Sequence, residues 1–93
     1  MLPNAGDYGE CFASGQADLT IGANFNGVGG NGVQHVHLAD ALKLCWTGGP
    51  DCGGVVRFSL GNNIVYVLRG IGPLLGSPGT VLYARGACSL PES

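Results

Sequence analysis

The chain has 93 residues and a net charge of −2, its charged fraction is only 11%, and 18 residues are glycine. This length corresponds to one domain, and an apolar fraction of 45% is too high for a disordered chain. The weak negative charge excludes the basic surface that nucleic-acid binding requires, and no apolar stretch approaches the ~18–20 residues that span a membrane.

The N-terminal half contains few patterns typical of regular structure. Residues 1–10 are predicted to be irregular. Weak apolar alternation over residues 17–21 predicts a strand. Residues 22–32 are rich in glycine and predict a loop, with a short strand at 25–28 as an alternative. Residues 33–36 then predict a second strand.

One segment, residues 38–46, has the periodicity of an amphipathic helix. Its apolar side chains recur at helical spacing and share one face: Leu38, Ala41, Leu42 and Cys45. The following Gly48-Gly49-Pro50 sequence predicts the end of the helix.

The second half is rich in strand-forming residues. Residues 54–60 and 64–69 flank the turn sequence Gly61-Asn62-Asn63, which predicts a β-hairpin. Residues 70–79 contain two prolines and predict a loop, and residues 80–85 predict the last strand. We therefore expect a single α+β domain over residues 1–93. In it, one helix packs on a small antiparallel β-sheet with glycine-rich loops.

The four cysteines favour two disulfides. They lack the close C-x2-C pairs that are typical of zinc sites. Three pairings are open; the nested one is preferred, because Cys45–Cys52 closes a short local turn and Cys11–Cys88 ties the ends together. Disulfides, without a signal peptide or a membrane anchor in the sequence, predict a secreted or cell-surface chain.

Three segments in residues 34–88 carry a family resemblance. The helix that places Cys45 near its end, the segment 50–56 with Cys52 before a strand, and the strands at 66–69 and 80–85 resemble those of PAN/Apple domains. The resemblance implies a disulfide between the helix cysteine and the cysteine before the next strand, with an outer pair joining the ends. It also implies extracellular binding of protein or carbohydrate, without catalysis.

Six side chains are candidates for ligand binding. If the strands bearing Arg57, Arg69 and Arg85 are neighbours, the three arginines line one surface that grips an acidic glycan or another carboxylate. The alternative is that they solvate an open face. The rings of Trp46, Tyr66 and Tyr83 can stack on sugars, and the alternative for each is that it fills the core.

The remaining motifs favour neither a cofactor nor catalysis. His35 and His37 would share a strand face and, with Asp40, offer a metal site, but we expect no metal and assign His37 to the start of the helix. The glycines of residues 27–32 lack the Lys-Ser/Thr of a phosphate-binding loop. No Gly-x-Ser-x-Gly elbow is present. We therefore expect a protein that is not an enzyme.

Two functions remain. The preferred one is an extracellular structural subunit that self-assembles into a filament or surface layer, because the low charge leaves much of the exterior neutral. Sheet edges and apolar side chains in predicted loops or tails would join the copies, among them Leu2, Leu74, Leu75 and Leu90. The alternative is a PAN/Apple-like adhesion module that binds carbohydrate or an extracellular protein.

Overall fold

The computed structural model describes residues 4–92 and confirms the α+β fold. The strands β1 (Gln16–Ile21), β2 (Gly54–Leu60), β3 (Asn63–Arg69) and β4 (Leu74–Ala84) form one antiparallel sheet in the order β1-β4-β2-β3. The helix α1 (Leu38–Thr47) and a 3-10 helix (Ala5–Cys11) pack together on one face. No helix in this part of the chain is long and apolar enough to cross a membrane.

The helix α1 occupies the predicted segment. Its buried residues are Ala41, Leu42, Cys45 and Trp46. At its end, the amides of Gly48 and Gly49 donate to the carbonyls of Leu44 and Trp46 at 2.9 and 3.2 Å. Gly49 has a φ of 92°, which is a left-handed conformation. Helices often end in this conformation, and glycine adopts it without steric cost because it has no Cβ.

The β2–β3 hairpin is also confirmed. Leu60 pairs with Asn63 across a two-residue turn. Gly61, the first turn residue, has a φ of 62°, which is typical of a type II′ turn. Because side chains alternate along a strand, Val55 and its partner Leu68 point toward α1, whereas Val56 points to the opposite face.

The sheet carries apolar clusters on both faces. The larger cluster lies under α1 and the 3-10 helix and includes Tyr8, Phe25, Trp46, Val55 and Leu68. The smaller cluster joins Ile21 to Val56 and Leu82. The register of the β1–β4 ladder shifts between Ala17 and Leu19, and beyond this shift Ile21 contacts the sheet on the side opposite α1.

Both disulfides follow the nested pairing preferred from the sequence. Cys45–Cys52 spans 7 residues and joins the end of α1 to the segment before β2. Cys11–Cys88 spans 77 residues and joins the 3-10 helix to the segment after β4. Cys11, Cys45 and Cys52 are fully buried, so both disulfides belong to the helix-side core.

The predicted strand at residues 33–36 is wrong. Only a single bridge forms there, in which the backbones of His35 and Tyr66 exchange two hydrogen bonds of 2.8 Å. Asn31 and Gly32 both have positive φ values, so the chain turns immediately before this segment instead of extending. The alternative strand at residues 25–28 does not form either; the neighbouring bridge joins Asn24 to Arg69.

Two segments expected to be irregular are ordered. Ala5–Cys11 forms the 3-10 helix, in which the Asp7 carboxylate accepts the Asn4 amide at 3.0 Å. The predicted loop at residues 70–79 is wrong from Leu74 onward, where β4 begins. Pro78 lies where the β1–β4 ladder shifts register and has no ladder partner there, which suits a residue without an amide proton.

The four leucines assigned to intermolecular contacts have different positions. Leu2 lies outside the described residues. Leu74 and Leu75 are exposed on β4. The expectation for Leu90 is wrong, because its side chain packs on the helix-side core and its carbonyl accepts the Trp46 indole N–H at 3.0 Å.

The glycine-rich loop encloses one aromatic ring. Phe25 is 4% exposed, and a Cβ at Gly27 or Gly48 would overlap its ring. A Cβ at Gly30 would overlap the backbone carbonyl oxygen of Phe25, which cannot rotate away as a side chain can. These glycines therefore allow the loop backbone to pack closely around the Phe25 ring.

Gly30→Ala is expected to lower the free energy of unfolding by roughly 1–3 kcal/mol, because the loop must shift to admit the methyl group. Urea denaturation followed by tryptophan fluorescence would measure the change. Gly9→Ala is the matched control, since a Cβ at Gly9 meets nothing within 4 Å. Equal losses in the two variants would contradict the close-packing explanation.

Candidate functional site

The three arginines do not line one surface, so that prediction is wrong. Arg57 is two residues after Val55 on β2, so its side chain lies on the same face of the sheet, the one that faces α1. Arg69 pairs with Gly54 and lies on the opposite face, where its guanidinium carbon is 5.6 Å from the centroid of the Phe58 ring. Strand register, which the sequence does not reveal, separates these two side chains.

Arg85 is a structural residue and is not accessible to a ligand. Its side chain is 11% exposed. Nη1 donates to the carbonyls of Cys45 and Cys52 at 3.1 and 3.3 Å. Nη2 donates to the Trp46 carbonyl at 3.4 Å and to the Glu92 carboxylate at 2.6 Å. The guanidinium therefore connects both ends of the inner disulfide loop.

Trp46 fills the core, which is the alternative that the sequence offered to sugar stacking. Its side chain is buried, and its ring lies 4.0 Å from the Arg85 guanidinium carbon and edge-on to Phe12. Since Arg85 and the core cover the ring, it offers no face to a sugar, and the expectation that Trp46 binds ligand is wrong.

Arg69 borders a groove on the face opposite α1. Nη1 donates to the Asn24 side-chain oxygen at 3.1 Å, which holds the loop against the end of β3. The groove has a volume of about 260 Å³. It is lined by Asn24, Gly32, Gln34, Phe58, Leu60, Val65, Val67 and Arg69. The cationic side chain in this lining, Arg69, already donates a hydrogen bond to Asn24.

The structure brings Arg57, Tyr66 and Tyr83 together on the α1 face. Tyr66 is the direct partner of Arg57 on β3, and Val81 is its direct partner on β4. Tyr83 pairs with Val55 and is the diagonal neighbour of Arg57 on the same face. We call these three side chains the Arg57 face.

Arg57 has no protein partner for its charge among residues 4–92. Its Nε is buried without a hydrogen-bond acceptor, and the ion pair in this part of the chain belongs to Arg85. The residue is partly exposed, as are Tyr66 and Tyr83. Both tyrosines also pack against the helix-side core, which holds their rings in place.

The two histidines serve the loop and the helix. His35 Nε2 lies 2.6 Å from the Gly29 carbonyl oxygen. His37 occupies the N-cap of α1 without a side-chain capping bond. In residues 4–92, no three His, Cys, Asp or Glu side chains are grouped as a metal site would require.

A polar groove among three loop segments carries side chains that sequence reasoning missed. Its volume is about 470 Å³. Its lining is Asn24, Phe25, Asn26, Gly27, Gly48, Asp51, Gly70 and Ile71. The backbone pairing of Asn24 with Arg69 brings residues from distant parts of the chain together there. No local pattern in the sequence signals this proximity.

Comparisons with protein-family models, with curated proteins and with solved structures gave no match to this chain.

Proposed function

We propose that the chain is an extracellular, non-enzymatic structural subunit that assembles with copies of itself. The observation that carries this proposal is the presence of two separate groups of exposed apolar side chains. The tip patch, at the end of the sheet around the β2–β3 turn, consists of Val36, Leu60 and Ile64; it spans both faces, because Ile64 pairs with Ser59 and so points away from the face of Leu60. The ladder patch, just before and at the start of β4, consists of Ile71, Leu74 and Leu75, and the adjacent Leu74 and Leu75 also point to opposite faces. Each of these six residues is at least 46% exposed.

The two patches lie toward opposite ends of β3. Ile64 stands near its beginning and Ile71 follows its last residue, Arg69. A strand rises about 3.3 Å per residue, so the patches are separated by roughly 20 Å. Two different patches on one molecule favour a head-to-tail contact, which forms a filament when the rotation between copies does not close a ring.

The low surface charge supports the same function. Charged residues make up 11% of the chain, whereas soluble domains commonly carry about 25–35% charged residues at the surface. Electrostatic repulsion between copies is therefore weak. Burial of exposed apolar side chains would provide the attraction.

The sheet edges are less suited to joining copies than the patches are. On β1, Asp18 has a φ of 62° and lies at the register shift, and its carboxylate accepts the Gly79 amide at 3.0 Å. On β3, the loop backbone at Asn24 and His35 already pairs with the strand. Bulges, charges and covering loops block pairing between edges. We therefore assign the contacts to the two patches.

Substitution of one patch at a time tests the head-to-tail contact. The native chain is expected to form large or filamentous species by light scattering and negative-stain microscopy. Leu74→Ser and Ile64→Ser should each stay monomeric, because the intact patch of one copy then meets only altered patches on its neighbours. An equimolar mixture of the two variants should form dimers, since one native tip patch and one native ladder patch remain.

Val28→Ser is the matched control, because Val28 is 80% exposed and belongs to neither patch. This variant should assemble as the native chain does. A native chain that stays near 9.4 kDa at high concentration would overturn the proposed function. Dimers formed by either patch variant alone would contradict the head-to-tail contact.

The second candidate is a PAN/Apple-like adhesion module. The disulfide between the end of α1 and the segment before β2, together with the outer pair, supports it, because this is the pairing that the resemblance implies. Stable disulfides also support an extracellular location for either candidate. A monomeric native chain that binds a glycan or a matrix protein saturably would favour this module over the assembling subunit.

A further inference from the structure

The fold leaves one arginine on the sheet without an electrostatic partner. Arg85 is held by three carbonyls and Glu92, and Arg69 donates to Asn24 and lies over Phe58. Within residues 4–92, Arg57 forms neither a side-chain hydrogen bond nor a cation–π contact, although its Nε is buried. The Nε of Arg69 also lacks a hydrogen-bond partner, but Nη1 of Arg69 has one. Partial burial of an unpaired cation is unfavourable, so an external anion would stabilise Arg57.

Two aromatic rings flank this cation. Tyr66 lies directly opposite Arg57 on β3, where cross-strand Cβ atoms are about 4.5–5.5 Å apart. Tyr83 lies diagonally on β4. Both rings rest on the helix-side core and remain partly exposed. Val81 lies directly opposite Arg57 on β4, on the side away from Tyr66, and is partly exposed.

These groups match the chemistry of an acidic sugar. The terminal nitrogens of a guanidinium form a fork that binds a carboxylate through two parallel hydrogen bonds. Tyrosine rings offer an apolar face to the C–H groups of a sugar, and their hydroxyls can bind its oxygens. The surface is a sheet face, so it suits a unit within an extended polymer.

We propose that the Arg57 face is a binding site for the carboxylate-bearing ring of a uronic acid in an extracellular polysaccharide. The site goes beyond the structural role proposed above, because it would attach an assembled subunit to a matrix. It uses no residue of the tip patch or the ladder patch. Either proposal can therefore fail while the other stands.

Calorimetric titration of the native chain with a trisaccharide of galacturonic acid tests the site. Saturable binding is expected for this probe and not for the neutral galactose trisaccharide. Arg57→Gln should weaken binding by about 10–100-fold, the equivalent of a charge-assisted hydrogen-bonded contact. Arg57→Lys retains the charge without the fork and should bind with intermediate affinity. Leu74→Ser should bind as tightly as the native chain, whether or not it assembles.

Lys43→Gln is the matched control for charge, because it removes one positive charge from α1 and alters no side chain of the Arg57 face. It should leave the affinity unchanged. Amide chemical shifts of the Leu74→Ser chain, recorded with the same probe, should change at Arg57, Tyr66 and Tyr83 and so locate the site without altering it. Equal binding of the neutral trisaccharide, an equal loss in Lys43→Gln, or shift changes confined to other residues would overturn the proposal. Tighter binding of an acidic peptide than of the uronate would also overturn it.

Discussion

Removal of the outer disulfide by Cys11→Ala/Cys88→Ala is expected to lower the free energy of unfolding by about 4–5 kcal/mol. The bond spans 77 residues, so its loss releases nearly the whole unfolded chain from a covalent constraint. Small domains have total stabilities of roughly 5–15 kcal/mol, and the variant should therefore be close to unfolding at 37 °C. Calorimetry or urea denaturation of both chains, non-reduced, would measure the difference.

The inner disulfide provides the matched comparison. Cys45–Cys52 spans 7 residues, and the loop-length dependence predicts a loss of only about 2–3 kcal/mol for Cys45→Ala/Cys52→Ala. A larger loss for the inner pair would show that packing around the sulfurs, rather than loop length, determines the contribution. The single variant Cys11→Ser tests the pairing itself. Alkylation should then label Cys88 alone, and label at Cys45 or Cys52 would contradict the nested arrangement.

Arg85→Met is expected to lower the free energy of unfolding by roughly 3–4 kcal/mol. Methionine keeps an apolar stem beside Trp46 but donates no hydrogen bond to the carbonyls of Cys45, Trp46 and Cys52. The cation–π contact with Trp46 is lost as well. Urea denaturation followed by tryptophan fluorescence would report both the stability and the altered environment of the indole.

Glu92→Gln separates the carbonyl contacts from the ion pair. The Glu92 side chain is 45% exposed, so this pair should contribute less than about 1 kcal/mol. The variant is therefore expected to unfold almost as the native chain does. If Glu92→Gln were as damaging as Arg85→Met, the ion pair rather than the three carbonyls would account for the role of Arg85.

The features that sequence predicts well are local. The helical spacing of Leu38 to Cys45, the glycines that follow it, and the turn at Gly61 each act within a few residues. Their outcomes depend on backbone conformation and nearest neighbours, which the residue types themselves determine. The short Cys45–Cys52 loop belongs to this group, and once it is chosen only Cys11 and Cys88 remain to pair.

The features that sequence reasoning missed depend on distant partners. The segment from Leu74 contains a proline and two glycines. It nevertheless forms a strand because β1 supplies a ladder from more than 50 residues earlier in the chain, as in the pair Thr20↔Leu75. The strand predicted at 33–36 has suitable residues, but the turn at Asn31 and Gly32 leaves it a single bridge. Local pattern carries no information on either outcome.

The candidate site shows the same limit. Arg57, Tyr66 and Tyr83 are identifiable by residue type, but so are Arg69, Arg85 and Trp46, which the fold uses otherwise. Arg57, Tyr66 and Tyr83 come together only because the strand register places Arg57 opposite Tyr66. Residue type alone therefore suggests more ligand-binding side chains than the fold brings together on one face.

The Cys11–Cys88 bond gives the chain a particular response to tension. A force that pulls on the segment before Cys11 and the segment after Cys88 passes directly through the sulfur atoms. The sheet, α1 and most of both apolar clusters lie within the loop that this bond closes and carry almost none of that load, whereas Tyr8 and Leu90 lie outside the loop. Stretching the chain from the two sides of this bond would thus leave the sheet and α1 folded until a covalent bond is broken or reduced.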